Sequence, residues 1–339
     1  RATPHGVARS ASPAYPRGMR CAWVEEFDEA DPVAGLRIGR LETEPPAGWV
    51  RVDVVVAAVN HHDVWSLRGV GLAAERLPMV LGTDAAGIDE DGRAVVVHAV
   101  IAPDDAADET LHPARSLLSE RYHGTFAEHV WVPRRNLVPK HPDLSFEHAA
   151  CLPTAWLTAW RMLTRHAALD NGGTVLVQGA TGGVATAAIT LARALGHEVW
   201  ATSRSADGRE FAESLGARPF EPGARLPHHA DAVMETVGEA TWAHSLACLR
   251  PGGTVVVSGA TSGAMPPAHL NRIFFRSLRV IGSTMGTRVE LEDLQAFLVA
   301  RGVRPVVAGV HPFDDLPGAL RSLAEGRTRG KEVVLVRPS

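Results

Sequence analysis

Residues 174–178 form a short apolar, β-branched run, followed by the turn Gly179-Ala180-Thr181-Gly182-Gly183. Beyond the turn, Val184, Ala188, Leu191 and Leu195 step by four, three and four, which predicts one face of a helix. Gly196 supplies the stop, because glycine alone enters the left-handed region at no steric cost. A second strand is predicted over 198–202, so the segment reads as strand, turn, helix, strand. Upstream the pattern is rich in strands and turns, with β-branched runs at 50–59 and 93–101. Ser145 is placed to cap a helix within 146–166, interrupted at Pro153, which has no N–H to give. Downstream, strands recur at 231–235, 254–258 and 278–282, with helical stretches between. Two amphipathic helices, 291–300 and 314–325, precede a last strand at 332–336. This alternation predicts an α/β fold with a doubly wound parallel sheet beside a compact β unit. No internal repeat is visible.

Composition narrows the choices. A chain of 339 residues is long enough for about two domains. Thirty-four basic and 38 acidic residues give a net charge of −4, which excludes an electrostatic case for nucleic acid or an anionic membrane. The apolar run at 94–102 is broken by His98 and too short to span a bilayer. Cys21, Cys151 and Cys248, with no Cys-x-x-Cys, fit a reducing cytoplasm. Residues 1–18 lack the apolar stretch of a secretory signal and read as a disordered extension before Met19.

The glycine turn opens a helix, where free N–H groups and the helix dipole attract a diphosphate. Aligned to G-x-G-x-x-G, the stretch keeps only the middle glycine, Gly182; Ala180 and Ala185 stand at the other two positions. The flanking strands supply the context that a lone glycine motif lacks. At the tip of the second strand an NAD site places an acid about 20 residues on. Here Ser203-Arg204-Ser205 stands instead, with Arg209 one helical turn further. Nothing there repels a 2′-phosphate and a guanidinium is available to grip it, so the expected cofactor is NADP(H).

Residues 19–336 resemble the medium-chain dehydrogenase/reductase superfamily. The landmarks are Asn60-His61-His62-Asp63, Leu81-Gly82-Thr83-Asp84-Ala85-Ala86-Gly87, Gly124-Thr125-Phe126-Ala127-Glu128 and Leu157-Thr158-Ala159-Trp160. After the glycine turn they continue with Arg250-Pro251-Gly252-Gly253 and Gly282-Ser283-Thr284-Met285-Gly286. The resemblance implies a GroES-like substrate domain (19–142 with 288–339) and a Rossmann domain (143–287), with the cofactor between them. It places along the cofactor His61, Thr154, Thr158, Ala180, Thr181, Gly182, Gly183, Val184, Ser203, Arg204, Arg209, Thr236, Val237, Ser258, Gly259, Ala260, Thr284, Met285 and Lys331. Relatives often dimerise by pairing Rossmann sheets edge to edge, which implies a homodimer through 254–278.

Within the superfamily the branches divide on zinc. The positions that match the catalytic ligands are Asn60, Thr83 with Asp84, and Thr154, and residues 102–122 hold no cysteine for a structural zinc. Amide and hydroxyl groups do not replace thiolate and imidazole around zinc, so no metal is expected. What remains is similar to zinc-free quinone oxidoreductases and enoyl or enone reductases. That implies hydride transfer from NADPH to a small molecule with a conjugated C=C, or to a quinone. Around the reacting atoms the candidates are His62, Asn60, Trp65 and Tyr122. Several quinone reductases carry tyrosine where Trp65 stands, and indole N–H donates a hydrogen bond but no proton. His62 sits where zinc enzymes keep a proton-relay hydroxyl, with an ordinary pKa suited to transfer near neutrality. The chain has 16 histidines, so a structural His62 stays open. A reductive cyclase of polyketide-type metabolism and a non-catalytic NADPH-binding protein stay open as well.

Overall fold

The computed structural model describes residues 18–170 and 172–337. The extension expected at the start of the chain lies, up to residue 17, outside the described residues. Six parallel strands form one sheet in the order Arg218–Phe220, Glu198–Thr202, Thr174–Val177, Ala230–Glu235, Leu249–Val257, Arg279–Gly282. Numbered along the chain this order is 3-2-1-4-5-6. The order reverses beside Thr174–Val177, and ligands of open α/β sheets lie beyond the strand C-termini at such a reversal. All four residues of that strand are buried, as a strand covered on both faces requires. Helix Gly183–Ala194 follows it and buries Ala188 and Leu191 of the expected stripe.

The other lobe is a mainly antiparallel sheet. Strand Val50–Ala58 pairs with Asp84–Asp89 on one side and Lys331–Leu335 on the other. The expected strand over 93–101 is divided into Ala94–Val97 and Val100–Ile101, with buried His98 between them. Its backbone N–H there donates to Asn136 O at 2.9 Å, outside the ladder.

The segment joining the lobes starts as expected. Ser145 Oγ accepts from His148 N at 3.2 Å and caps helix Phe146–Ala150. A wider, π-type turn follows at Leu152–Trp156, where Pro153 cannot donate. Helix Arg288–Ala300 buries Leu291, Leu294 and Leu298 in the same apolar cluster as Val175 and Val177 of the parallel sheet. That cluster also takes in Val55, Val56 and Ala86 of the antiparallel sheet, so one continuous core runs under both lobes.

Candidate active site

The site is built where the two sheets meet. Strand Val50–Ala58 ends at Asn60, strand Asp84–Asp89 begins beside it, and Lys331 opens the strand on its other flank. Lys331 is 2 % exposed, and its ammonium donates to Val59 O at 2.8 Å, Asn60 Oδ1 at 2.5 Å and Asp84 Oδ2 at 3.1 Å. Asn60 Nδ2 donates in turn to Asp84 Oδ2 at 2.8 Å and Thr83 Oγ1 at 3.1 Å. Thr83 Oγ1 lies 3.0 Å from Thr154 Oγ1. The three positions that match zinc ligands in relatives are therefore tied together by hydrogen bonds around a buried ammonium.

The glycine turn touches this network. Gly330 N donates to Thr181 O at 2.9 Å, and a Cβ on Gly183 would meet Lys331 Cδ at 3.0 Å and Ala155 Cβ at 3.2 Å. The turn is held from below by Thr202 Oγ1, which accepts from Gly179 N at 3.1 Å and donates to Gln178 Oε1 at 2.7 Å. Gly182 caps its helix with no side chain, and a Cβ there would meet nothing within 4 Å. The space beside Gly182 is thus open, and the first-turn N–H groups of a helix have no partner within it, which suits a diphosphate. Two buried hydroxyls without a partner among the described residues, Ser258 Oγ and Ser283 Oγ, follow the C-terminal ends of neighbouring strands. Such orphan polar atoms, on the sheet edge where ligands lie, fit a bound dinucleotide. Gly259 and Ala260 continue the loop, and a Cβ on Gly259 would come within 2.9 Å of Thr236 O. Thr236 Oγ1 donates to Gln178 O at 3.2 Å, and Val237 packs over Gly179. Thr158 and Met285 are buried and Thr284 is exposed.

At the far tip, Ser203 is half-buried and Arg204 exposed. Arg204 has no ion pair among the described residues. Arg209 is partly committed, with Nη1 on Ser203 O at 3.0 Å and Nη2 on Glu221 Oε1 at 3.4 Å.

The imidazoles differ from expectation. Burial pushes His62 down to about 4, below the ordinary value on which its candidacy for proton transfer near neutrality rests. Its Nε2 is buried without a hydrogen bond, 4.0 Å from Glu120 Oε1, whose own pKa burial raises. His61 is held down by burial and then by the charges of Lys331 and Arg68. Asp63 is fully buried and accepts from Asn60 N at 2.7 Å; burial lifts its carboxyl to about 7. Trp65 is half-buried one turn along the same helix, His61–Leu67. Tyr122 is not grouped with these residues. It packs on Trp49, with ring centroids 4.6 Å apart, before the opposite end of strand Val50–Ala58 from Asn60. Two cavities of about 890 and 320 Å³ open there, both lined by Trp49, Arg121 and Tyr122.

Sequence reasoning missed Thr202 and Gln178 as supports of the turn, and Lys331 as the centre of the network. The signal for the first pair was a polar residue at the C-terminal end of two adjacent apolar strands.

Comparison with known proteins agrees with this layout. Residues 46–143 match the alcohol dehydrogenase GroES-like domain family, and residues 183–300 the zinc-binding dehydrogenase family. A zinc-type alcohol dehydrogenase-like protein of Schizosaccharomyces pombe is 32% identical over 300 residues, covering 80% of this chain and 86% of its own. The chain belongs to the medium-chain dehydrogenase/reductase superfamily. Within the superfamily, acryloyl-coenzyme A reductase of Metallosphaera sedula is 28% identical over 311 residues, 86% of this chain and 93% of that one. The solved structure of an NAD-dependent alcohol dehydrogenase superposes with a TM-score of 0.85 at 32% identity, over 94% of this chain and 100% of that one. The residues at the ligand positions put this chain in the zinc-free branch of the superfamily.

Proposed function

We propose that this protein is a zinc-independent, NADPH-dependent reductase of a small molecule whose C=C is conjugated to a carbonyl, or of a quinone. The observation that carries the reading is the hydrogen-bonded set Asn60, Thr83, Thr154 and Lys331, at the place where a metal ligand shell would otherwise stand. Oxidation of an alcohol needs a group that withdraws its proton and charge, and the one carboxylate beside this set, Asp84, is already paired with Lys331. Reduction of a conjugated system needs position and hydrogen bonds to an oxygen, which amides and hydroxyls supply.

NADPH, when bound, supplies the hydride. The protein's part is to hold and orient. Gly182 and the free N–H groups of helix Gly183–Ala194 take the diphosphate; Ser258 and Ser283 offer their unpaired hydroxyls further along the sheet edge. Ser203, Arg204 and Arg209 take the 2′-phosphate, and the absence of an acid at this tip supports NADPH although one similar structure is NAD-dependent. Burial holds His62 neutral near neutrality, which supports a source other than its imidazolium for the proton that completes a reduced C=C. The exposed apolar residues Met265, Leu270, Phe274 and Phe275 beside the open edge strand Arg279–Gly282 support a homodimer through this face.

The deciding experiment offers purified protein NADPH with an enoyl thioester, an enone and a simple quinone, and NADP+ with primary alcohols. Oxidation of NADPH by at least one conjugated acceptor, unchanged after chelation, is the expected result. Alcohol oxidation that requires added zinc would overturn the reading.

A further inference from the structure

We propose that the Thr154 hydroxyl donates the hydrogen bond to the substrate oxygen that gains charge as hydride arrives, and that Lys331, Asn60 and Thr83 are positioning residues that aim it. The inference rests on the reductase reading above and adds a named residue to it.

Counting donors and acceptors orients the bonds around Lys331 and Asn60, and burial then favours one sense for the bond between the two threonine hydroxyls. An ammonium has three N–H donors and no acceptor. Those of Lys331 are spent on Val59 O, Asn60 Oδ1 and Asp84 Oδ2, so Lys331 has none left for a ligand. Because the ammonium only donates, the oxygen of Asn60 must face it and the amide cannot flip. The two N–H groups of Asn60 then face Asp84 Oδ2 at 2.8 Å, Thr83 Oγ1 at 3.1 Å and, at the longer distance of 3.4 Å, Ala58 O, and the two shorter contacts take them. Thr83 is fully buried and accepts from Asn60; the one acceptor within reach of its own proton is Thr154 Oγ1 at 3.0 Å. The Thr154 oxygen therefore receives a bond, and its proton is turned away from the network.

Exposure says where that proton points. Every residue from Ala149 to Ala159 is buried except Thr154. Its neighbour Ala155 lies against Gly183, where an added Cβ would come within 3.2 Å. Thr154 thus stands at the mouth of the space beside the glycine turn, where the cofactor binds in the reading above. A row of donors aligned in one sense, each polarising the next in a buried setting, ends in a hydroxyl free to donate. That is the arrangement an enolate or hydroquinone oxygen needs, built before the charge appears. NADPH, when bound, would supply the hydride; as the π electrons of the acceptor move to its oxygen, Thr154 would stabilise that oxygen without giving up its proton.

The test compares Thr154→Val, which keeps the shape, with Thr154→Ser, which keeps the hydroxyl, on the intact protein with NADPH and the best conjugated acceptor. Loss of one such donor is expected to lower kcat by about 10²-fold in Thr154→Val and to be recovered to within about threefold in Thr154→Ser. The Kd for NADPH, read by fluorescence titration, should stay within about threefold of the original in both. The isotope effect with 4-deuterated NADPH should rise in Thr154→Val and return in Thr154→Ser. A Val variant with unimpaired kcat, or one that instead weakens NADPH binding tenfold, would overturn the assignment and leave the reductase reading standing. An unmodified protein that reduces no conjugated acceptor would remove the reading and the assignment together.

Discussion

At the scale of single residues, burial decides what each polar group can do. His62 ionises at about 4 in the folded chain against an ordinary 6.5. A depressed folded value means its contribution to stability is complete above pH ~6.5 and lost as pH falls towards 4. His62→Gln should therefore narrow the difference in urea midpoint between pH 7 and pH 5, and should leave any kinetic limb near neutrality in place. Arg204 is the opposite case, exposed and available. Arg204→Ala removes a charge-assisted bond of about 1.5–3 kcal/mol, so the KM for NADPH should rise tenfold or more while that for NADH is spared. Equal use of both cofactors by the unmodified protein would sink that assignment. Arg204 could be singled out in the sequence because it follows a glycine turn at a fixed distance, and its exposure leaves it available for that role. The neutrality of His62 was not, since nothing local announces that its ring is buried. The partners of Lys331 were hidden too, because Asn60 lies 271 positions away along the chain.

At the scale of elements, the segment that carries a structural zinc in relatives is fastened here by ions. Arg161 is buried on helix Leu157–Arg161 and reaches Asp108 Oδ2 and Glu290 Oε2, each at 2.6 Å. It clamps the 102–122 segment of one lobe against helices belonging to the core beneath both. Arg135 adds a second tie to Glu109 at 3.2 Å. Removing one partner of a buried ion set costs about 3–5 kcal/mol, because the others are left uncompensated. Arg161→Ala should fall near 3 kcal/mol, since Asp108 and Glu290 keep some solvent contact; equilibrium denaturation measures it. A loss below 1 kcal/mol would mean the clamp is ornamental. Much of the strand and helix order was readable from apolar period, down to the cap at Ser145 and the break at Pro153, but the short strands Arg218–Phe220 and Val307–Pro312 were not. The packing of helix Arg288–Ala300 onto the parallel-sheet core was not, because an amphipathic stripe says that a face is covered and not by what.

At the scale of the molecule, the parallel sheet ends at Arg279–Gly282 with one side unpaired. Met265 is 86 %, Phe275 80 % and Phe274 59 % exposed around it. The open edge lies just beyond the stretch 254–278 to which the resemblance pointed. Phe275→Glu would set a charge in any interface there, and sedimentation velocity should show the dimer replaced by monomer at micromolar concentration. An unmodified protein that sediments as a monomer would remove the dimer from the account. A doubly wound parallel sheet was foreseeable from the strand–helix alternation, whereas its order and the edge left uncovered emerge only once all six strands are placed.

The position of Lys331 also bears on what the end of the chain contributes. The amide of Asn60 gains its fixed orientation from an ammonium supplied by the last strand. A chain shortened before residue 331 would leave that amide without its fixed partner, and with it the direction of the Thr83–Thr154 bond.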